Sequence, residues 1–329
     1  MQRHPAQETA RLSAPIPARR SLDPAKFRDP EVTAKGERRA SVALSALRTL
    51  WVNTGTLCNI TCRNCYIESS PRNDALVYIS AAELAEYLDE IAHGHLPVDE
   101  VGFTGGEPFL NRELPAMLRD VLSRGHRALV LTNAMKPMRN HAAALLALRE
   151  EFGDRLTIRV SLDHYGPALH DLERQEGSFA AALDGLVWLA RHGFHLHVAG
   201  RAAFGGEGEA ELRDGFARLF AEHGIPVDAH DPVALMLFPE MDATADVPEI
   251  TEACWGILGK SPDSVMCASA RMVVKRRGAA RPAVVACTLL PYDPQFELGA
   301  TLAEASRPVP LNHPHCAKFC VLGGAACSR

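Results

Sequence analysis

Three cysteines fall within eight residues, in the run Thr56-Leu57-Cys58-Asn59-Ile60-Thr61-Cys62-Arg63-Asn64-Cys65-Tyr66. Thiols at spacings of four and three can converge on one face of a loop and hold a soft metal as thiolates. Their number is informative. A structural zinc site takes four protein ligands, whereas a four-iron cube takes one thiolate per iron. Three cysteines with no nearby fourth therefore leave one iron open to a small molecule. A zinc knuckle completed by a remote ligand, or simply buried thiols, are the plainer readings of the same residues. The chain has nine cysteines, and the other six (Cys254, Cys267, Cys287, Cys316, Cys320 and Cys327) all lie beyond residue 250. Two separated groups imply two metal sites. The odd total argues against a closed disulfide framework, and clustered free thiols suit a reducing, cytoplasmic setting.

The remaining polar candidates sit where strand-like runs end. Such runs occupy 49–54, 100–104, 128–132, 157–162, 195–201 and 234–238, and helix-like periodicity falls between them at 80–93, 112–123, 140–150, 178–191 and 209–222. Ser80 with Glu83 three residues on reads as a capping box, and Gly94 as the stop. Strands alternating with helices build an open parallel sheet or a barrel, and in both the ligands gather at the carboxyl ends of the strands. At those ends stand Gly105-Gly106-Glu107, Thr132-Asn133, Ser161, Asp163 and Arg201. Adjacent glycines let the backbone approach a ligand, with carbonyls free to accept from an ammonium group. Taken singly, these are also ordinary turn residues, and Arg201 an ordinary solvated arginine.

At 329 residues and 47% hydrophobic, the chain can bury a full core, as one large domain or one domain plus a smaller one. A net charge of −5 offers no footprint for nucleic acid, and no apolar run approaches the roughly 20 residues of a bilayer span. The first twenty residues lack the apolar segment of a secretory signal. Residues 1–46 read as a poorly ordered arm with one short helix at 40–48. Residues 47–245 form the α/β body, and 246–329 a small cysteine-bearing extension.

The C-x3-C-x2-C run directly after a first strand, with Gly-Gly-Glu closing the second, resembles the signature of the radical S-adenosylmethionine (SAM) superfamily. Ser161-Leu162-Asp163, then His170-Asp171, Arg174 and Gly177-Ser178-Phe179, is similar to its peptide- and protein-modifying members. The resemblance implies a partial (β/α)6 barrel and a [4Fe–4S] cluster on Cys58, Cys62 and Cys65 whose open iron chelates SAM. It places Gly105, Gly106 and Glu107 at the methionyl amino group and Ser161 and Asp163 among the SAM contacts; Thr132 and Asn133, polar groups at a strand end, are further candidates for ribose or carboxylate, and Arg201 for the SAM carboxylate. The implied reaction is reductive cleavage of SAM to a 5′-deoxyadenosyl radical that takes hydrogen from a peptide or small-molecule substrate, fed by an electron donor such as flavodoxin or ferredoxin. Two departures stand out: Asn64 occupies a position that is often aromatic and near the adenine, and His164-Tyr165 replace a glycine on the expected substrate side.

The run Cys267, Gly278, Cys287, Leu298-Gly299, Cys316, Cys320, Gly323-Gly324 and Cys327 looks like a shortened SPASM or twitch extension. That implies an auxiliary [4Fe–4S] cluster ligated from among Cys267, Cys287, Cys316, Cys320 and Cys327, with a hairpin at 273–275 and 283–285. Cys254, beside Trp255, reads as a small core residue. His313 and His315 keep zinc as the rival metal. The other readings are a molybdopterin-type cofactor-building enzyme and, in a different class, a non-enzymatic iron–sulfur carrier or zinc-stabilised binding module.

Overall fold

The computed structural model describes residues 20–202, 206–239 and 242–323. Its strands are β1 (Ser41–Val42), β2 (Thr49–Asn53), β3 (Glu100–Thr104), β4 (Arg127–Thr132), β5 (Leu156–Ser161), β6 (His195–Arg201), β7 (Leu235–Phe238), β8 (Ala270–Val274), β9 (Ala283–Val285), β10 (Glu297–Gly299) and β11 (Val309–Pro310). Nine of them form one sheet in the order β10-β9-β8-β2-β3-β4-β5-β6-β7. From β2 to β7 every neighbouring pair is parallel and follows chain order, as a partial (β/α)6 barrel requires. Parallel strands are covered on both faces and so read as near-continuous apolar runs; all five residues of β2 are buried.

The helices that cover the sheet begin where local chemistry starts them. Ser80 accepts from the Glu83 amide at 3.2 Å, and its own amide donates back to the Glu83 carboxylate at 2.9 Å, opening the helix Ala81–His93. Leu84, Tyr87, Leu88 and Ile91 form that helix's buried face, the stripe an amphipathic helix turns to a core. The helix Pro167–Arg174 escaped the periodicity reading because it is short and polar, with His170 its one buried residue.

The extension continues the barrel sheet. Strand β8 pairs in parallel with β2, and β9 folds back antiparallel with Val274 opposite Ala283. The expected hairpin is therefore present, one strand on from the barrel edge.

The arm reading fails for residues 20–46. There is no helix at 40–48: Ser41–Val42 pairs with Val309–Pro310, and the Ser45 and Arg48 amides donate to the Ala268 and Ser269 carbonyls. Leu22 N–H bonds to Thr244 O at 2.7 Å, and Ala40 N–H to Ile250 O at 2.8 Å. The physical reason is the buried Arg39–Glu249 ion pair. Composition counted these polar residues as solvated, whereas a partner 210 positions away lets the charge go inside.

Candidate active site

The loop after β2 carries Cys58, Cys62 and Cys65 beneath the carboxyl ends of β3 to β6. All three thiols line one cavity with Gly105, Gly106, Thr132, Asn133, Ser161, Asp163 and Arg201. The glycines act first between loops. Gly105 has φ of +138°, and a side chain on Gly106 would overlap the Leu57 carbonyl. Two residues without Cβ atoms let the β3 end press on the 54–57 segment and seat the cysteine loop. The Gly106 amide donates to Gly55 O at 2.9 Å and the Glu107 amide to Leu57 O at 3.1 Å.

Glu107 was expected at the methionyl amino group. Its side chain instead lies behind the cavity wall, 1% exposed, because three donors hold it there. Thr132 Oγ1 donates at 2.8 Å, the Asn133 amide at 2.9 Å and the Phe109 amide at 3.2 Å. Burial pushes its pKa up to about 7, against the pull of those donors. Its bonds tie the β3 end to the β4 end.

Asp163 faces the cavity, but both of its oxygens are engaged. Arg174 grips them at 2.8 and 3.0 Å, and Arg201 Nε stands 3.6 Å away. Burial works against the Asp163 carboxylate, yet the two arginines lower its pKa. Burial also works against the Arg174 charge; Asp163 and the thiols of Cys62 and Cys65 outweigh it and raise its pKa. Arg174 lines the cavity, a placement that sequence reasoning missed. The signal was its spacing of eleven from Asp163 on a short helix. His170, on the same helix, accepts from the Asp163 amide at 3.1 Å, and burial lowers its pKa to about 4.

The two sequence departures resolve plainly. The Asn64 side chain turns to Glu173 at 2.7 Å, while its carbonyl accepts from Arg201 at 2.8 Å. His164 and Tyr165 were expected on the substrate side but are absent from the cavity lining. Both bond to Glu207, at 2.9 and 2.6 Å, and Tyr165 packs edge-on to Phe216. They fasten the β5 end to the helix Glu209–His223.

The donor set fits a three-thiolate cluster with one open iron. Burial pushes the Cys58 thiol up to about 12 and raises that of Cys62 as well, so ionised sulfurs call for the positive charge of bound metal. Polar N–H groups already face these sulfurs: Asn133 Nδ2 is 4.0 Å from Cys58 Sγ and the Ser69 amide 3.4 Å from Cys65 Sγ. Among the described residues no three His, Cys, Asp or Glu side chains gather closely enough for a single ion, a grouping that a four-iron cube does not demand.

A second, smaller cavity in the extension is lined by Cys267, Cys287, Cys316 and Cys320. Cys327 lies outside the described residues. Cys254 instead sits against Thr251, with Sγ 3.4 Å from its amide. His313 and His315, which kept zinc as a rival, meet with tilted rings, 4.7 Å between centroids, and do not line this cavity. Arg271 is buried beside it, its guanidinium donating only to carbonyls, those of Cys267 (2.6 Å), Ala270 and Ala305 (2.8 Å each) and Arg307 (3.3 Å). Burial lowers its pKa, and the thiols of Cys267 and Cys287 work the other way.

Among solved structures, SuiB of Streptococcus suis bound to S-adenosylmethionine superposes with a TM-score of 0.57 at 11% identity, over 78% of this chain and 64% of SuiB. Native anSMEcpe with bound AdoMet gives 0.55 at 14%, over 78% and 79%. These likenesses show the fold. The antilisterial bacteriocin subtilosin biosynthesis protein AlbA of Bacillus subtilis (strain 168) is 31% identical over 143 residues, 43% of this chain and 30% of AlbA. Fe-coproporphyrin III synthase of Methanosarcina barkeri is 29% identical over 132 residues, 39% of this chain and 30% of that protein. The matched stretch thus spans under a third of each curated relative. The Radical SAM superfamily model matches residues 52–219, just over half of the chain, and takes in every cysteine-loop and strand-end residue from Cys58 to Arg201: this chain belongs to the radical SAM superfamily.

Proposed function

We propose that this protein is a radical SAM enzyme that modifies a peptide or protein. The observation that carries the reading is the single cavity joining the three-thiol loop to the glycine-paired end of β3. When bound, the cluster and SAM supply reductive C–S cleavage and a 5′-deoxyadenosyl radical; the rest is the chain's own work. Cys58, Cys62 and Cys65 ligate three irons. The Gly105 and Gly106 backbone receives the methionyl amino group. Arg201 and Arg174, sharing one Asp163 carboxylate, keep a net positive charge for the SAM carboxylate. Thr132, Asn133 and Ser161 offer short polar groups to the ribose.

A peptide substrate is supported by the name of AlbA and by a structural likeness to SuiB bound to its precursor peptide SuiA. Small-molecule chemistry is the second reading, favoured by the likeness to Fe-coproporphyrin III synthase. An electron donor of the flavodoxin or ferredoxin kind would reduce the first cluster. Cys267, Cys287, Cys316 and Cys320 would hold an auxiliary cluster.

Anaerobically reconstituted protein should bind about eight irons and form 5′-deoxyadenosine from SAM with dithionite. Replacing Cys58, Cys62 and Cys65 together by Ala should abolish that product and leave about four irons. Undiminished 5′-deoxyadenosine from the triple variant sinks the reading. One zinc in place of the remaining irons sinks the auxiliary cluster alone.

A further inference from the structure

The cavity is lined by two chemically different sets of residues. Its polar groups come from the cysteine loop and the ends of β3 to β6, and the SAM reading uses them. The second set is apolar and includes Leu131, Ala199, Phe238, Leu289 and Phe319. Phe238 closes β7, the last strand of the barrel and one edge of the nine-stranded sheet. Leu289 and Phe319 come from the extension, which continues the sheet beyond β2 at its other end. The rings of Phe238 and Phe319 stack at 5.7 Å and 22°, so the wall joins the barrel's last strand to the extension. Phe319 is 1% exposed and sits on a single π-helical segment, Cys316–Leu322, between two thiols of the second cavity. Its place is therefore tied to the seat of the auxiliary site.

None of these five residues carries a charge or a hydrogen-bonding side chain. A charged or hydroxyl-bearing group pressed against them would lose its water without a partner, whereas an aliphatic or aromatic group would gain by burial. We propose that this wall is a specificity subsite that seats an apolar side chain of the substrate peptide and presents its C–H bonds to the radical. The proposal rests on the peptide reading above.

The test uses the reconstituted holoenzyme with SAM, dithionite and acetyl-Gly-Gly-X-Gly-Gly-amide peptides whose X side chain is perdeuterated Leu, Phe, Ser, Asp or Lys. One deuterium atom moves from a side-chain carbon to the 5′-carbon, leaving one unpaired electron on the peptide, and mass spectrometry counts it in 5′-deoxyadenosine. Transfer from the Leu or Phe peptide should exceed that from Ser, Asp and Lys by about tenfold or more, the scale at which apolar pockets discriminate. Phe319→Ser and Phe238→Ser should each shrink that ratio by a similar factor. Equal or greater transfer from the polar peptides, or a ratio untouched by both variants, overturns the proposal alone; unlabelled 5′-deoxyadenosine with every peptide overturns the peptide reading and the proposal with it. No 5′-deoxyadenosine at all overturns the SAM reading, and this proposal with it.

Discussion

Single residues decide how the two cavities are shaped and charged. Gly106 matters because its Cα lies against the Leu57 carbonyl, directly before the first cluster thiol. Gly106→Ala should push the cysteine loop aside and cost the first cluster while sparing the second. Reconstituted variant should then bind about four irons instead of about eight; a full complement with normal SAM binding would place the constraint elsewhere. Arg271 raises a different question, because carbonyls satisfy its hydrogen bonds but leave its charge uncompensated. The anionic partners at hand are the thiolates of Cys267 and Cys287. In the variant lacking Cys58, Cys62 and Cys65, Arg271→Gln should lower the midpoint potential of the auxiliary cluster, since a nearby positive charge favours the reduced, more negative state. Arg271→Lys should restore part of the shift. An EPR-monitored redox titration decides it, and an unchanged potential in the Gln variant removes the electrostatic role.

Elements position the cavity residues through contacts that a periodicity plot does not show. The helix Ser178–Arg191 carries Gly185 on its buried face. Ordinarily, replacing a helix glycine by alanine stabilises by about 1 kcal/mol. Here the added methyl would overlap the carbonyl oxygen of Ala134, in the turn directly after Thr132 and Asn133. Gly185→Ala should therefore destabilise the protein, by about 1–3 kcal/mol as overpacked sites do. Denaturant unfolding would show it, and a stabilised variant would mean that the turn yields. The turn it presses on follows directly after two of the three donors that hold Glu107, so weaker SAM binding should accompany the loss.

At the scale of the molecule, the first described residues clasp the start of the extension. The Glu249 carboxylate receives the Phe27 amide at 2.8 Å, the Ala34 amide at 2.7 Å and the Arg39 guanidinium. Burial works against that charge, but these donors outweigh it and hold the pKa below the ordinary glutamate value of 4.5. A lowered folded pKa contributes stability that is full above about 4.5 and is lost as pH falls through the folded value. The Phe27 and Ala34 amides should accordingly lose hydrogen-exchange protection as pH drops below that point, beyond the intrinsic pH dependence of exchange. Glu249→Gln should remove the pH dependence and cost about 3–5 kcal/mol at neutral pH, because it leaves Arg39 buried without its partner. Protection that stays constant across this range in the wild type would show that the clasp does not depend on the charge. A second tie joins the extension to the cysteine loop: Tyr292 Oη donates to the Ile67 carbonyl at 2.8 Å, two residues past Cys65.

The local part of this protein is legible in its residues. Cys58, Cys62 and Cys65 stand close in sequence, the strand ends follow from apolar runs that stop, and Ser80 and Glu83 cap a helix with atoms three residues apart. Short-range spacing suffices for such features because the chain itself brings the groups together. Five extension thiols could be suspected of one site, but only the fold places four of them, Cys267, Cys287, Cys316 and Cys320, around one cavity. The same holds for Arg174 on Asp163, for Glu107 turning away from the cavity and for Arg39 finding Glu249. Phe319 gains its place only when the fold stacks it on Phe238. In each case the deciding partner lies far along the chain or across a turn whose direction local propensity leaves open. A buried charge or ring takes its role from what is packed against it, and that is decided in tertiary structure.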